Sequence, residues 1–228
     1  MLGYSEFLDG GGESVRADAE RNRSAVLAAA EQVYAEQGVD VSLNEIARRA
    51  GIGNATLYRH FPTREALLAE VFSGHLEQYC GLAEAAADGD DPVAALRDCV
   101  TATCALQATN RGLADLLASL QPMTPHVEEL RRRHHRAIAT VFSRAVRSGG
   151  VRRDVSPVDL AVLLMANAGL IHRTVDDAPP SSARLVALWL AGVTGGRDDE
   201  LPPAPSEPDI RRALGRPEPE VRSGGSRR

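Results

Sequence analysis

The segment of residues 42–64 constrains the fold of this chain more than any other. Ser42 is a good N-cap, and Glu45 three residues later fits a capping box, which satisfies the first backbone N–H groups of a helix. Residues 51–53, Gly-Ile-Gly, supply a tight turn. A second short helix is expected at residues 54–60 and ends there because the residue before a proline avoids the helical region. Two helices joined by such a turn form a helix-turn-helix unit, whose second helix can enter the DNA major groove.

The same segment carries a resemblance to a known family. Residues 50–65 read Ala-Gly-Ile-Gly-Asn-Ala-Thr-Leu-Tyr-Arg-His-Phe-Pro-Thr-Arg-Glu, and this run resembles the signature of the TetR family of transcriptional regulators. The segment before it, which ends Ala-Glu-Gln-Gly at residues 35–38, is similar to the end of that family's first helix. The resemblance implies an all-α fold with an N-terminal three-helix DNA-binding domain. It also implies a C-terminal helical domain that binds a small ligand and forms a homodimer.

The pattern along the chain divides it into four segments. Residues 1–16 are expected to be a disordered arm, and residues 17–65 to form the helix-turn-helix DNA-binding domain. Residues 66–195 are expected to form the ligand-binding and dimerisation domain. Residues 196–228 are rich in proline, charge and glycine, which predicts a disordered tail.

Helical periodicity of the apolar residues predicts the positions of the other helices. One long helix is expected to begin after Thr63. The others are expected at residues 18–37, 92–108, 111–120, 125–148, 157–176 and 182–194. The helix at 157–176 is apolar nearly all round, which predicts burial on more than one side. The resemblance implies that this helix and the last one pair with their copies in a four-helix bundle.

The charge distribution gives DNA binding little electrostatic support. The formal net charge of the chain is −5, and residues 16–65 carry seven arginines and seven acidic residues. A basic patch is the usual electrostatic footprint of a nucleic-acid-binding surface. DNA recognition would therefore depend on a few placed arginines, helix N-terminal amides and hydroxyls. The alternative is a helical ligand-binding or protein-interaction module that has lost DNA binding.

The second helix of the unit is expected to present polar side chains to DNA. Ala55 and Thr56 lie in its first turn and can contact base edges, while Asn54 either reads adenine or caps the helix. The resemblance places Tyr58 and His60 at positions that contact phosphates. Packing between helices is the alternative for Tyr58.

Three further residues complete the predicted set of DNA contacts. Ser42 combines its capping role with a phosphate contact, and Asn44 matches a family position that sometimes reaches bases. Arg64 stands where the family usually has lysine, and either cation can pair with a phosphate. The family's common serine and glycine are replaced by Gly53 and Ala55, so the operator sequence is not predicted.

Six residues in the rest of the chain are candidates for lining a ligand pocket. His134 lies on the inner stripe of its helix, as a core histidine or as a ligand contact. Asn167 lies on an apolar stripe, where a buried amide must be hydrogen-bonded, either across a dimer interface or to a ligand. The basic run at residues 131–136 is expected to be largely a solvated helix face. The other four candidates, for which core packing is the alternative, are His75, Tyr79, Met123 and Met165.

Other classes of protein find little support in the sequence. No stretch of about 18 apolar residues indicates a membrane span, and the N-terminus lacks a signal-peptide core, so a cytoplasmic location is expected. The three cysteines fit a reducing compartment, and Cys99 and Cys104 lack the Cys-x-x-Cys spacing of a metal or redox site. No motif of a serine hydrolase, zinc protease or nucleotide-binding enzyme is present. We therefore expect no enzymatic activity, no metal and no cofactor.

Overall fold

The computed structural model describes residues 10–119, 121–194, 206 and 208. These residues contain ten α-helices and no strand, so the predicted all-α fold is confirmed. The helices are α1 (Gly10–Gln37), α2 (Leu43–Ala50), α3 (Asn54–His60), α4 (Arg64–Val71), α5 (Ser73–Asp88), α6 (Pro92–Gln107), α7 (Arg111–Leu117), α8 (Pro125–Arg147), α9 (Pro157–Thr174) and α10 (Pro180–Thr194).

Local capping chemistry starts most of these helices where the sequence predicts. The Ser42 hydroxyl accepts a hydrogen bond from the Glu45 backbone N–H at 3.2 Å. The Glu45 carboxylate pairs with Arg48 on the next turn. At the start of α9, Ser156 and Asp159 form the full capping box, with the Ser156 N–H donating to the Asp159 carboxylate at 2.8 Å. Each cap satisfies backbone N–H groups that the first helical turn leaves without a partner.

The single long helix expected after Thr63 is two helices in the structure. α4 ends at Val71 and α5 begins at Ser73, with Phe72 between them at φ −102° and ψ 10°. The Phe72 ring is buried and lies 5.9 Å from the Tyr34 ring, centroid to centroid. The Ser73 hydroxyl donates to the Glu70 carbonyl at 3.1 Å, a local bond that competes with regular helix. The break therefore combines a local polar bond with distant packing that helical periodicity does not report.

The ends of the chain differ from the prediction in one respect. α1 begins at Gly10, so residues 10–16 of the expected disordered arm are helical. Only Glu13 and Arg16 in this stretch are good helix formers, and three of its seven residues are glycine, so intrinsic propensity does not account for the longer helix. The rest of the arm, and the expected tail at 196–228 apart from residues 206 and 208, lie outside the described residues.

Two large buried clusters hold the helices together. The first joins α1–α4 to α5, α7 and the start of α8, and its most buried members include Tyr34, Leu57 and Leu113. The second lies among α5, α6, α8, α9 and α10, with Phe142 and Leu164 among its members. The core of the helix-turn-helix end thus continues into the helical body, so the position of α2 and α3 is set partly by α7 and α8.

Candidate DNA-binding surface and cavity

The α2–turn–α3 unit has the geometry needed to present α3 on the outside of the protein. Gly51 adopts the left-handed conformation at φ +71°, and its backbone N–H closes α2. Gly53 is the N-cap of α3 at φ −73°, an ordinary extended conformation, and it supplies no side-chain cap. Leu57 and Phe61 are almost fully buried and fix α3 to the core. The side of α3 opposite Leu57 is therefore turned outward.

The eight residues predicted to contact DNA lie in this unit and at its two flanks. Tyr58 is 47% exposed, so it is not a packing residue between helices within this chain. Thr56, His60 and Arg64 are half-buried. The other members of the set have exposed side chains: Ser42, Asn44, Asn54 and Ala55.

Three of the arginines around the unit have acidic partners, which offset much of the positive charge of this surface. Arg48 pairs with Glu45 at 2.6 Å, and Arg64 pairs with Asp40 at 3.2 Å. Arg49 likewise pairs with a glutamate of α1 at 2.8 Å. Such exposed ion pairs contribute at most about 1 kcal/mol. Each guanidinium can therefore leave its carboxylate for a DNA phosphate at small cost.

A cavity of about 700 Å³ lies among α5, α7, α8 and α9. Its wall is mostly apolar, and the predicted residues Tyr79 and His134 form part of it. Their rings stack with centroids 3.9 Å apart and an interplanar angle of 19°. Three predicted residues, His75, Met123 and Met165, are not among those that line it. The leucine and isoleucine residues that line the wall are Leu76, Leu116, Leu117, Leu130, Ile138, Leu160 and Leu164.

Burial decides the charge state of the stacked pair. His134 is 9% exposed, and its Nε2 atom has no hydrogen-bond partner among the described residues. Burial lowers the pKa of His134 to about 4, so the ring is neutral at pH 7. Burial also raises the pKa of Tyr79 above its ordinary value, so the phenol keeps its proton. This part of the cavity wall is therefore aromatic and uncharged.

The basic run at residues 131–136 is less uniform than a solvated face. Arg131 is 16% exposed, pairs with Glu128 at 2.9 Å, and donates to the carbonyls of Ser119 and Gln121 at 3.2 and 2.6 Å. It therefore fixes the segment after α7 to α8. Arg132 and Arg136 are exposed and border the cavity. Sequence reasoning missed these roles because the carbonyl partners lie in an irregular segment that no pattern predicts.

Comparison with known proteins identifies the family. Residues 26–71 match the family model described as bacterial regulatory proteins, tetR family. Residues 91–195 match the model of the SbtR-like transcriptional regulator C-terminal domain. The chain belongs to the TetR family of transcriptional regulators.

Individual TetR-family relatives agree with this assignment. An uncharacterised HTH-type transcriptional regulator of Mycobacterium tuberculosis is 28% identical over 174 residues, which cover 75% of this chain and 91% of the relative. The structure of PfmR from Thermus thermophilus is 24% identical, with a TM-score of 0.55 over 76% of this chain and 99% of that one. AmtR from Mycobacterium smegmatis is 23% identical, with a TM-score of 0.54 over 78% and 87% of the two chains. The two structural likenesses concern the fold alone.

The environment of Asn167 in this TetR-family chain differs from both that the sequence suggested, a dimer interface and a ligand site. It is fully buried, and its amide donates to the Gln107 side-chain oxygen at 2.9 Å. Its own oxygen accepts from the Ser182 hydroxyl at 2.8 Å, and the Gln107 amide donates to the Leu164 carbonyl at 3.2 Å. Asn167 is thus satisfied within one chain and does not line the cavity, so its environment gives no support to a ligand or dimer contact. Its partners are distant in sequence, which is why the apolar stripe alone did not reveal them.

The cysteines carry no sign of reactivity or metal binding. All three are free and buried. Burial raises the pKa of Cys99 to about 11 and that of Cys104 to about 12, which keeps both as thiols. Within residues 10–119 and 121–194, no three histidine, cysteine or acidic side chains are grouped as metal ligands. In the same part of the chain, no helix has the length and apolar character needed to cross a membrane.

Proposed function

We propose that this TetR-family regulator is a ligand-responsive repressor, which binds a palindromic operator as a homodimer and is released by a small-molecule effector. The observation that carries the proposal is the α2–turn–α3 unit. Leu57 and Phe61 hold α3 on the core, while Asn54, Ala55 and Tyr58 stay exposed. A helix held in this way can enter the major groove with its first turn at the base edges.

The proposed DNA contacts divide into two groups. Asn54, Ala55 and Thr56, in the first turn of α3, contact bases, and Asn44 reaches the groove from α2. The residues proposed to contact phosphates are Ser42, Tyr58, His60 and Arg64. Phosphate contacts set the position of the protein on the duplex, and base contacts supply the sequence preference.

The proposed dimer uses the outer faces of α9 and α10. Val162 on α9 is 40% exposed and Leu188 on α10 is 57% exposed. Ala166 on α9, one turn after Val162, and Ala191 on α10, one turn after Leu188, are also exposed. Contiguous exposed apolar patches of several hundred Å² often mark interfaces. Pairing of two copies there would bring their recognition helices into successive major grooves, about 34–36 Å apart.

The proposed effector site is the cavity lined by Tyr79 and His134. An effector changes operator affinity only if it binds the DNA-competent and DNA-incompetent states with different affinities. The cavity is suited to this role because its wall includes Leu116 and Leu117 of α7, which also belong to the core shared with the helix-turn-helix end. A ligand that shifts α7 would therefore change the packing beneath α2 and α3.

The first experiment is selection of a random duplex DNA pool by the purified protein at moderate salt. Enrichment of an inverted repeat is the expected result, because two copies related by a two-fold axis read two equal half-sites. The selected duplex then allows candidate effectors to be screened by release of DNA. Failure to enrich any sequence, by a protein shown to be a folded helical dimer, would contradict the proposal.

Substitutions test the proposed contacts on the selected duplex. The double variant Tyr58→Phe, Thr56→Ala should bind it at least about tenfold more weakly, since contacts of this kind are worth about 1–3 kcal/mol. Thr140→Ala, at an exposed position on α8, is the matched control and should bind normally. Unchanged operator affinity in a correctly folded double variant would show that these residues are not contacts.

Sedimentation velocity tests the proposed dimer. Leu188→Glu places a charge on the apolar surface of α10 and should shift the protein towards monomer. Thr140→Glu, at an exposed position on α8, is the control and should leave the dimer intact. A dimer that survives Leu188→Glu unchanged would place the interface elsewhere.

A second candidate function is a helical ligand-binding or protein-interaction module that has lost DNA binding. The observation that favours it is the pairing of Arg48, Arg49 and Arg64 with acidic neighbours, in a segment of zero net charge. A salt titration separates the two functions. A DNA-binding protein should lose affinity steeply with rising salt because each phosphate contact releases counterions. A module without phosphate contacts should show no such dependence.

A further inference from the structure

Three separate segments meet at the turn that leads into the helix-turn-helix unit. Gly38, which ends α1, has a φ of +82°. A Cβ atom on this residue would lie 2.5 Å from Oδ2 of Asp115 on α7 and 3.0 Å from Cε1 of His172 on α9. The turn is therefore in direct contact with two helices of the body. Glycine is needed here both for its backbone conformation and for the close approach.

Asp115 joins these three segments by hydrogen bonds. Its Oδ2 atom accepts from the Val39 backbone N–H at 3.0 Å, and its Oδ1 atom lies 2.5 Å from Nε2 of His172. The Asp115 side chain is only 12% exposed, and that of His172 is 33% exposed. Hydrogen bonds to a charged group in such a setting are stronger than bonds between neutral groups. One carboxylate thus ties the backbone of the turn to a side chain of α9.

Further contacts of α7 support the same junction. Arg111, four residues before Asp115, donates to the Glu36 carbonyl near the end of α1 at 3.3 Å. Arg111 also pairs with Asp176, just beyond α9. Gly112 packs so closely on α1 that a Cβ atom there would lie 2.8 Å from Cβ of Tyr34. The tie made by Asp115 is therefore part of a continuous contact between α1, α7 and the end of α9.

The charged groups around Asp115 act in opposite directions. Burial raises the pKa of Asp115, while the hydrogen bonds from His172 and from the Val39 N–H lower it. Asp40, the next residue along the turn, raises it further by repulsion. The net direction is upward, so the carboxylate is held in an environment that does not favour its charge. The partners at Val39 and His172 are accordingly the groups that keep it in place.

We propose that Asp115 is a positioning residue that fixes the turn at residues 38–39 to α7 and α9, so that the helical body determines where α2 and α3 lie. The residues that follow Asp115 line the cavity, beginning with Leu116 and Leu117. Occupation of the cavity therefore acts on the short helix that holds the turn. The consequence for operator affinity rests on the proposed function, whereas the tie itself does not.

Hydrogen exchange at the Val39 amide, resolved by NMR of the full-length protein, tests the tie without DNA. Asp115→Ala removes the acceptor and should speed exchange at Val39 by at least about tenfold, the scale expected for a hydrogen bond to a carboxylate. Asp115→Asn keeps a carbonyl oxygen for Val39 and should restore most of the protection. Asp98→Ala, at an exposed aspartate of α6, is the matched control and should leave this amide unchanged.

The outcomes of the exchange experiment are distinct. Unchanged exchange at Val39 in a folded Asp115→Ala protein overturns the proposal. Equal loss of protection in the alanine and asparagine variants also overturns it, because a mere packing defect would then explain both. If Asp115→Ala does not fold, His172→Ala replaces it, since the half-exposed ring can be removed with less damage. Faster exchange at Val39 in that variant supports the tie to α9, and unchanged exchange refutes it.

Operator binding tests the second half of the inference. On the selected duplex, Asp115→Ala should bind at least about tenfold more weakly than Asp98→Ala, and Asp115→Asn should recover most of the loss. Equal affinities despite faster exchange at Val39 would show that the tie does not place α2 and α3. If the wild-type protein binds no duplex at all, the proposed function fails, and exchange at Val39 still decides whether Asp115 holds the turn.

Discussion

Gly112 marks the closest approach of α7 to α1, and its replacement by alanine tests that packing directly. A Cβ atom at this position would lie 2.8 Å from Cβ and 3.1 Å from the carbonyl oxygen of Tyr34, and 3.2 Å from Cζ of Phe72. Two of these atoms belong to the α1 backbone or are fixed to it, so they cannot rotate away. Overpacking of this kind costs about 1–3 kcal/mol. The helix-forming advantage of alanine over glycine, at most about 1 kcal/mol, offsets only part of it.

A matched glycine elsewhere gives the opposite expectation for the same chemical change. Gly81 lies on the exposed side of α5, and a Cβ atom there would meet no other atom within 4 Å. Gly81→Ala should therefore stabilise the protein by about 0.5–1 kcal/mol. For a chain of this length, 1 kcal/mol corresponds to about 2–4 °C in Tm. We expect Gly112→Ala to lower Tm by up to about 8 °C and Gly81→Ala to raise it by about 1–4 °C.

Thermal unfolding followed by circular dichroism at 222 nm measures both variants. Protein concentration must be the same in every sample, because the Tm of a protein that forms the proposed dimer depends on it. A Gly112→Ala protein that gains stability as Gly81→Ala does would refute the close contact between α7 and α1. The placement of α2 and α3 through α7 would then rest on the hydrogen bonds of Asp115 alone.

Three further predictions concern buried polar groups. Because the pKa of His134 is lowered to about 4 in the folded state, protonation of this ring destabilises the fold as the pH falls. The free energy of unfolding in urea should be unaffected by this group above about pH 6.5 and should fall by about 3 kcal/mol between about pH 6.5 and pH 4. This loss should be absent in His134→Phe. Asn167→Leu leaves the Gln107 side-chain oxygen without its partner and should cost at least about 1–3 kcal/mol in the same assay, whereas an unchanged free energy would contradict the network. The raised pKa values of Cys99 and Cys104 predict slow reaction with an aromatic disulfide reagent in the native protein and fast reaction in urea, and equal rates would show that these thiols are accessible.

Helix starts were predictable because their signals are local. Ser42, Thr63 and Thr124 each accept a hydrogen bond from the backbone N–H three residues later. These patterns can be read without knowledge of the fold. The break at Phe72 was missed because its ring packs against Tyr34, which is 38 positions away. Tertiary packing of this kind overrides the continuous apolar periodicity of residues 64–88.

The two candidate sites were predictable to different extents. The DNA-binding surface is one contiguous segment, so a motif of residues 42–64 identifies its members together. The cavity is assembled from four helices, and sequence could only propose inward-facing polar or aromatic residues one by one. Of these candidates, Tyr79 and His134 lie at the wall, while His75, Met123 and Met165 do not line it. Which polar residues pair with each other depends on helix packing, which no residue pattern contains.

The electrostatics of the DNA-binding end favour recognition by geometry over recognition by charge. A segment with no net charge, in which Arg48, Arg49 and Arg64 already have acidic partners, attracts any duplex only weakly. Affinity for one operator must then come from several contacts made at the same time, which requires α2 and α3 to be held in a defined position. The tie at Asp115 and the close packing at Gly112 supply that constraint from the body. A regulator built in this way should be sensitive to small movements of α7, because it has little non-specific attraction to compensate for a lost contact.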